Sequence, residues 1–274
     1  MTAYSPAMKD FDKVAIVTGG SKGIGQGIAR VFVEAGASVM ICARGAAEGQ
    51  ALADELTARG PGVCHFEAAD VAEPADMQRL VDRTVELFGR IDCLVNNAGY
   101  HPDHRPIDDF SVDEFEYLLR LNLVSYFAAC KLALPHLRRS RGSIINISSL
   151  VGAMGQEGAT TYCATKGGIT AFSKALAVDE GRHGVRVNTV LPGVIGTPMH
   201  WKYVNSQPQP ERFQGYVDSW QWLGRIGTLD EVGHACLFLA SDGAAFITGA
   251  ELVVSGGAEL AYGIKLAHEG MLNV

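Results

Sequence analysis

Val14-Ala15-Ile16-Val17-Thr18-Gly19-Gly20-Ser21-Lys22-Gly23-Ile24-Gly25 is the stretch whose reading decides the fold. A short apolar run reads as a buried strand, a glycine-rich turn follows, and Ile28, Ala29, Phe32 and Val33 continue with helical spacing. In that order, backbone N–H groups and the positive end of a helix can approach a pyrophosphate closely, so the loop reads as a dinucleotide cradle. In a chain with 32 Gly the same turn is also compatible with a plain tight connection. The surrounding pattern has to decide.

Working outward, apolar runs at 13–18, 38–42, 63–66, 91–95, 143–148, 185–190 and 250–254 read as strands, and helical patterns lie near 23–36, 46–59, 74–88, 112–137, 160–182 and 229–240. Strands separated by helices of this length pair in parallel through right-handed crossovers, which predicts a doubly wound α/β sheet of seven strands with helices on both faces. With 274 residues, 47% hydrophobic and 19% charged, one domain can bury a full core. The long irregular stretch 193–227 holds Pro198, Pro208, Pro210, Trp201, Trp220 and Trp222, which suits a lid over a substrate; a helical insertion packed for stability is the plainer alternative. The core is expected over about 13–257, with a tail at 258–274.

Thirty acidic residues against 23 basic give a net charge of -7, and no long basic run is present, which argues against nucleic acid and anionic membranes as partners. No stretch reaches ~18 apolar residues, and the first ten residues lack the charged-then-apolar order of a signal peptide, so a cytoplasmic location is expected. Cys42, Cys64, Cys93, Cys130, Cys163 and Cys236 are scattered without metal-ligand spacing; reduced core thiols are expected, with no metal site and no disulfide.

The chemistry concentrates in Tyr162-Cys163-Ala164-Thr165-Lys166. On a helix the phenol and the ammonium lie one turn apart on one face, and a cation held beside a phenol favours phenolate and draws its pKa toward the working range. With 8 Tyr and 8 Lys in the chain, such a pair arises by chance roughly 0.2 times, so its context matters. Upstream, Gly142 to Ser149 reads as a buried parallel strand ending in two hydroxyls, which sets Ser149 at the rim where ligands of parallel sheets bind.

Thr18-Gly19 with Gly23 and Gly25, Asn96-Asn97-Ala98-Gly99 after a strand, Ser149, and Tyr162 with Lys166 occur in this order. Together they resemble the short-chain dehydrogenase/reductase family from about Lys13 to Gly257. The resemblance implies a Rossmann-like fold and hydride transfer between a nicotinamide cofactor and a secondary alcohol or ketone. It assigns Tyr162 as general acid/base, Ser149 as the holder of the reacting oxygen, Lys166 as partner of the phenol and the nicotinamide ribose, and Asn122 as the residue whose backbone holds a relay water. For Asn122, a buried amide satisfied locally is the plainer reading.

Around the cofactor the resemblance implies Gly19, Ser21, Lys22, Gly23, Ile24 and Gly25 at the pyrophosphate, and Asp70 with Val71 at the adenine. Asn97, Ala98 and Gly99 would line its middle, and Pro192, Gly193, Ile195 and Thr197 the nicotinamide carboxamide. Asp70 could equally be a cap. A carboxylate at the end of the second strand would accept from the ribose 2′-OH of NAD. This chain has Ala43 there, then Arg44, with Lys22 nearby, a pattern that favours NADP over NAD.

A narrower likeness, over Asn96 to Pro102, Ser148 to Gln156 and Gly256 to Gly263, is to the 17β-hydroxysteroid dehydrogenase type fourteen group, which includes L-fucose dehydrogenases. The chain departs from that group at Ala43, where Asp is expected, and at Gly196, where a bulky pocket residue is expected. His101, Gln156 and Glu157 would present polar groups beside Ser149 and Tyr162, which tilts the substrate toward a sugar or polyol such as an aldose. A 17β-hydroxysteroid-type activity with NAD is the alternative. A non-catalytic dinucleotide sensor on the same fold would be expected to lack Tyr162 or Lys166. Relatives pack the helices near 112–137 and 160–182 into dimers of dimers, which implies a homotetramer.

Overall fold

The computed structural model describes residues 11–260, so most of the tail, with Tyr262 and Gly263, lies outside the described residues. Its seven strands are β1 (Val14–Thr18), β2 (Ser38–Ala43), β3 (Val63–Ala68), β4 (Cys93–Asn96), β5 (Ser143–Ile147), β6 (Arg186–Pro192) and β7 (Glu251–Val254). They form one parallel sheet in the order β3-β2-β1-β4-β5-β6-β7. The predicted doubly wound topology is therefore found. The order reverses between β1 and β4, and ligands of such sheets bind beyond the carboxyl ends of the strands at that point.

Successive side chains on a strand face opposite sides, and both sides here are covered. Ala15, Val17, Val39 and Ile41 enter one core, with Ile28 and Phe32 of α1 (Gly23–Glu34), Leu52 and Leu56 of α2 (Ala46–Arg59), and Val232 and Leu237 of α9 (Leu229–Ala240). Ile16, Met40, Leu94 and Ile144 enter a second, with Met77 and Leu80 of α3 (Pro74–Phe88) and Ala133 and Leu137 of α5 (Ser125–Ser140). This two-sided burial explains why the strands read as continuous apolar runs.

α1 and α9 approach closely because glycines face each other's helix. A Cβ at Gly27 would lie 2.6 Å from the Leu229 carbonyl carbon, and one at Gly233 would lie 2.8 Å from the Gly27 oxygen. Arg30 pairs with Asp230 across the same contact.

The sequence predicts one helix over 112–137. The structure instead has α4 (Val112–Leu119), a π-helical turn at Arg120–Val124, and α5. By length and composition the whole segment Val112–Ser140 could cross a membrane, but Tyr126, Ala129, Cys130, Ala133 and Leu137 are buried in the domain, as in a core helix. After α6 (Thr160–Gly181) and β6, the stretch 193–227, irregular by its sequence, contains α7 (Pro198–Asn205) and α8 (Pro210–Asp218). Its two ends meet: Gly196 N donates to Gly227 O at 2.9 Å and Gly227 N to Val194 O at 2.9 Å.

Candidate active site

The glycine loop is built for close approach. Gly19 and Gly23 have φ of 64° and 58°, a region open to glycine but strained for L side chains. A Cβ at Gly25 would lie 2.2 Å from the Gly19 oxygen, so only glycine lets the first turn of α1 rest on the loop. Lys22, the N-cap of α1, makes no side-chain cap, and the first turn carries no acidic residue. The helix N-terminus therefore keeps donors and positive potential for an anion, and the residues present fit a pyrophosphate. Across the loop, the Thr197 methyl stands 3.6 Å from where a Gly23 Cβ would be, which brings the segment after β6 to the same place.

Asn97 holds this loop rather than opening onto it. Its Nδ2 donates to Thr18 O at 2.9 Å and Gly19 O at 3.2 Å, while Thr18 Oγ1 accepts from the backbone N of Asn97 and Ala98. Gly20 N donates to Cys42 O at 3.1 Å, tying the loop to the end of β2. Ser21 is buried. The side chains of Ile24, Val71 and Ile195 pack into the cores, which leaves their backbones to offer to a ligand. Asp70 Oδ1 accepts from Ala72 N at 3.0 Å and shapes its own turn. Pro192 closes β6, and Gly193 gives close room to Ser255, whose Cα would be 2.9 Å from an added Cβ.

At the ends of β4, β5 and α6 the predicted catalytic residues come together. Lys166 is buried on α6 and donates from Nζ to Ile147 O at 2.9 Å, an oxygen that also accepts from the Tyr126 hydroxyl at 3.1 Å. Its Nζ stands 5.6 Å from the Tyr162 ring centroid. Ser149 Oγ neighbours Tyr162 closely enough to act on its phenol and accepts from Val151 N. Gly99 is close enough that a Cβ there would be 3.7 Å from Lys166 Nζ.

Asn122 sits in the π turn, fully buried. Its side chain accepts from Tyr100 N, and donates to Tyr100 O at 2.9 Å and to Thr165 Oγ1 at 3.1 Å. The amide thus secures the loop after β4 to α6, the locally satisfied role, and π turns recur where a helix backbone is put to functional use. The expected substrate residues also converge. The His101 ring is 4.0 Å from that of Tyr162, and its Nε2 is 3.4 Å from Gln156 Oε1. His104 stacks on His101 at 5.1 Å. Glu157 is exposed.

The electrostatics correct one expectation. Burial holds the Tyr162 phenol above its ordinary value, opposed by the Ser149 hydroxyl. Burial also pushes Lys166 from 10.5 to about 7. Removing water disfavours both charged forms, and the ammonium spends its hydrogen bond on a neutral carbonyl instead of the phenol. Lys166 is therefore the group of this pair that titrates near neutrality.

Sequence reading missed three features. Tyr126 shares the Ile147 carbonyl with Lys166, yet looks like any core aromatic. Glu48 reaches Lys22 at 4.0 Å and takes part of the charge counted toward a 2′-phosphate, whereas Arg44 is exposed as expected. At Gly196, Trp201 fills in: its Nε1 would be 3.4 Å from an added Cβ, so the bulk expected at 196 comes from α7.

A family model described as enoyl-(acyl carrier protein) reductase matches residues 19–259. The chain is 52% identical over 253 residues to the L-fucose dehydrogenase of Bos taurus, covering 92% of each chain. It is 50% identical over 262 residues to that of Mus musculus, covering 94% of this chain and 93% of that one. To a 3-oxoacyl-(acyl-carrier-protein) reductase of Chlamydia trachomatis it is 40% identical over 247 residues, covering 90% and 97%.

The low value for Lys166 has a consequence for stability. The unfolded chain binds the extra proton between about 7 and 10.5, so this group makes folding more favourable as pH rises through that window. Lys166→Met should flatten the slope, so urea midpoints at pH 6.5 and 9.5 should differ less for the variant than for the wild type. Parallel slopes in the two proteins would show that Lys166 is charged at both pH values.

Proposed function

From the premise that the chain belongs to the short-chain dehydrogenase/reductase family and is a nicotinamide-dependent oxidoreductase, we propose that it oxidises an aldose of the L-fucose type. The observation that carries the substrate class is the cluster of His101, Gln156 and Tyr162, polar rings and amide gathered beside the reacting phenol. Polar groups so placed favour a ligand that satisfies them over an apolar one that leaves them unpaired. The two L-fucose dehydrogenases, about half identical over nearly the whole chain, support the same reading.

The substrate carbon carries one hydrogen and one hydroxyl. A nicotinamide cofactor, when bound, would supply the hydride acceptor, with Gly19, Gly23 and Gly25 holding its pyrophosphate. Tyr162 takes the hydroxyl proton as the carbonyl forms, and Ser149 hydrogen-bonds the same oxygen. Lys166, buried beneath the phenol, provides the positive charge that a phenolate requires when it is protonated, so proton loss belongs to the pair rather than to either group. Asn122 keeps Tyr100 and the adjoining His101 in register with α6.

NADP is the proposed cofactor, because Ala43 leaves the end of β2 without a carboxylate and Arg44 follows it. The exposed Tyr117, Val124, Phe127 and Val178 on α4, α5, α6 and their junction support a homotetramer, which sedimentation would check. Six free thiols accord with a cytoplasmic location.

Purified enzyme should reduce NADP with L-fucose and not with a steroid alcohol, read by absorbance of the reduced nicotinamide; the reverse preference would overturn the substrate class. Tyr162→Phe should lower kcat by at least about 10²-fold while leaving cofactor binding in place, and an ordinary rate would remove the phenol from the mechanism. Ala43→Asp should shift the ratio of kcat/KM values toward NAD; an unchanged ratio would end the NADP assignment.

A further inference from the structure

At the end of the sheet opposite the glycine loop, the entries to β1, β5 and β6 enclose a cleft of about 280 Å³. Its charged lining comprises Lys13, Arg90, Arg141, Arg186, Asp92 and Asp242. Two of the cations are already matched. Lys13 pairs with Asp242 at 2.7 Å, and Arg90 with Asp92 at 2.6 Å. The second oxygen of Asp92 accepts from Val14 N, so that carboxylate has nothing further to give.

The other two cations are not matched. Arg186 is half-buried, and among the described residues its guanidinium hydrogen-bonds only the carbonyls of Ser241 at 3.3 Å and Ile247 at 3.5 Å. Burial lowers its pKa below the usual arginine value, although Asp242 pulls the other way. The Arg141 guanidinium has no hydrogen bond or ion pair among the described residues.

The backbone at Arg141 gives an independent sign. Among the described residues it is the one non-glycine residue at positive φ, 52°, at the C-cap of α5 where glycine is the usual occupant. Its stem lies against Gly184, also at positive φ, where an added Cβ would be 3.3 Å from Arg141 Cγ. The chain thus tolerates a left-handed backbone at Arg141, with its stem against a bare glycine, where Arg141 lines this cleft. Strain of that kind points to a role in binding.

We propose that the cleft binds a phosphate group between Arg141 and Arg186. Four cations against two carboxylates leave two positive charges, the complement of a phosphate dianion, and the planar guanidinium fork matches phosphate oxygens in paired hydrogen bonds. The bound group would brace the entries of β5 and β6, whose far ends carry Ser149 and Pro192. Free phosphate and a phosphate ester share the chemistry recognised.

The test is thermal unfolding and titration calorimetry of the full chain with inorganic phosphate, against sodium chloride at equal ionic strength. Wild type should gain a few degrees saturably. Arg141→Gly relieves the positive φ, so it should unfold no earlier than wild type, yet it should lose at least half of the phosphate-induced shift. Arg186→Gln should lose it as well. Equal shifts in wild type and Arg141→Gly would mean that phosphate acts elsewhere, the glycine loop included, and would overturn the proposal, as would the absence of saturable heat with wild type. Glycerol 3-phosphate, run in parallel, separates the sources: a response matching that to inorganic phosphate assigns the site to esters, and a response to inorganic phosphate alone assigns it to the free ion.

Discussion

A cation taken out of water and given one neutral oxygen organises the active site. Lys166 lies 5.6 Å from the centre of the Tyr162 ring, and its nitrogen is anchored on the last carbonyl of β5. Taking an ammonium out of water is costly, so the surroundings have to be held rigidly by other means. They are: Ser148 Oγ donates to the Lys166 oxygen, Thr170 reaches both, and Gly152 leaves no room for a side chain against the Lys166 backbone. The strand end and the helix start are joined there by polar contacts that leave the ammonium little freedom.

The cofactor end follows a different logic. There the chain keeps donors unspent, since the N-terminus of α1 has no cap, while its immediate neighbours are fully committed through Thr18, Asn97 and Gly20. Rigid supports around an open set of N–H groups are what a preorganised anion site requires. Two adjoining regions thus meet opposite needs, one by saturating its polar groups and the other by withholding them.

The parts of this arrangement differ in how far they could be read from residues alone. Strand and helix positions, the glycine loop and the Tyr162–Lys166 spacing depend on local periodicity, and they were legible. The π turn at Arg120–Val124 was not, because one extra residue in a turn leaves an amphipathic pattern nearly intact. Nor was the direction of the Tyr162 shift, which depends on how much water the tertiary fold removes. α7 and α8 were obscured by Pro198, Pro208 and Pro210; Pro198 and Pro210 turn out to open helices, where a missing N–H costs nothing. Glu48 beside Lys22 is a contact between loop and helix that spacing does not reveal.

The insertion carrying α7 and α8 is closed at its base where Gly196 and Gly227 pair and Gly227 N reaches Val194 O, and it is tied again to the segment after β7 where Leu223 N donates to Gly256 O. The strands on either side pair through residues outside that stretch, so the register of the sheet is set without it. Trp201 stands beside Gly196, so bulk at this point comes from α7 and not from the stem. Side chains on α7 can therefore change what stands beside Gly196 without altering the strand register that places Tyr162 and Lys166.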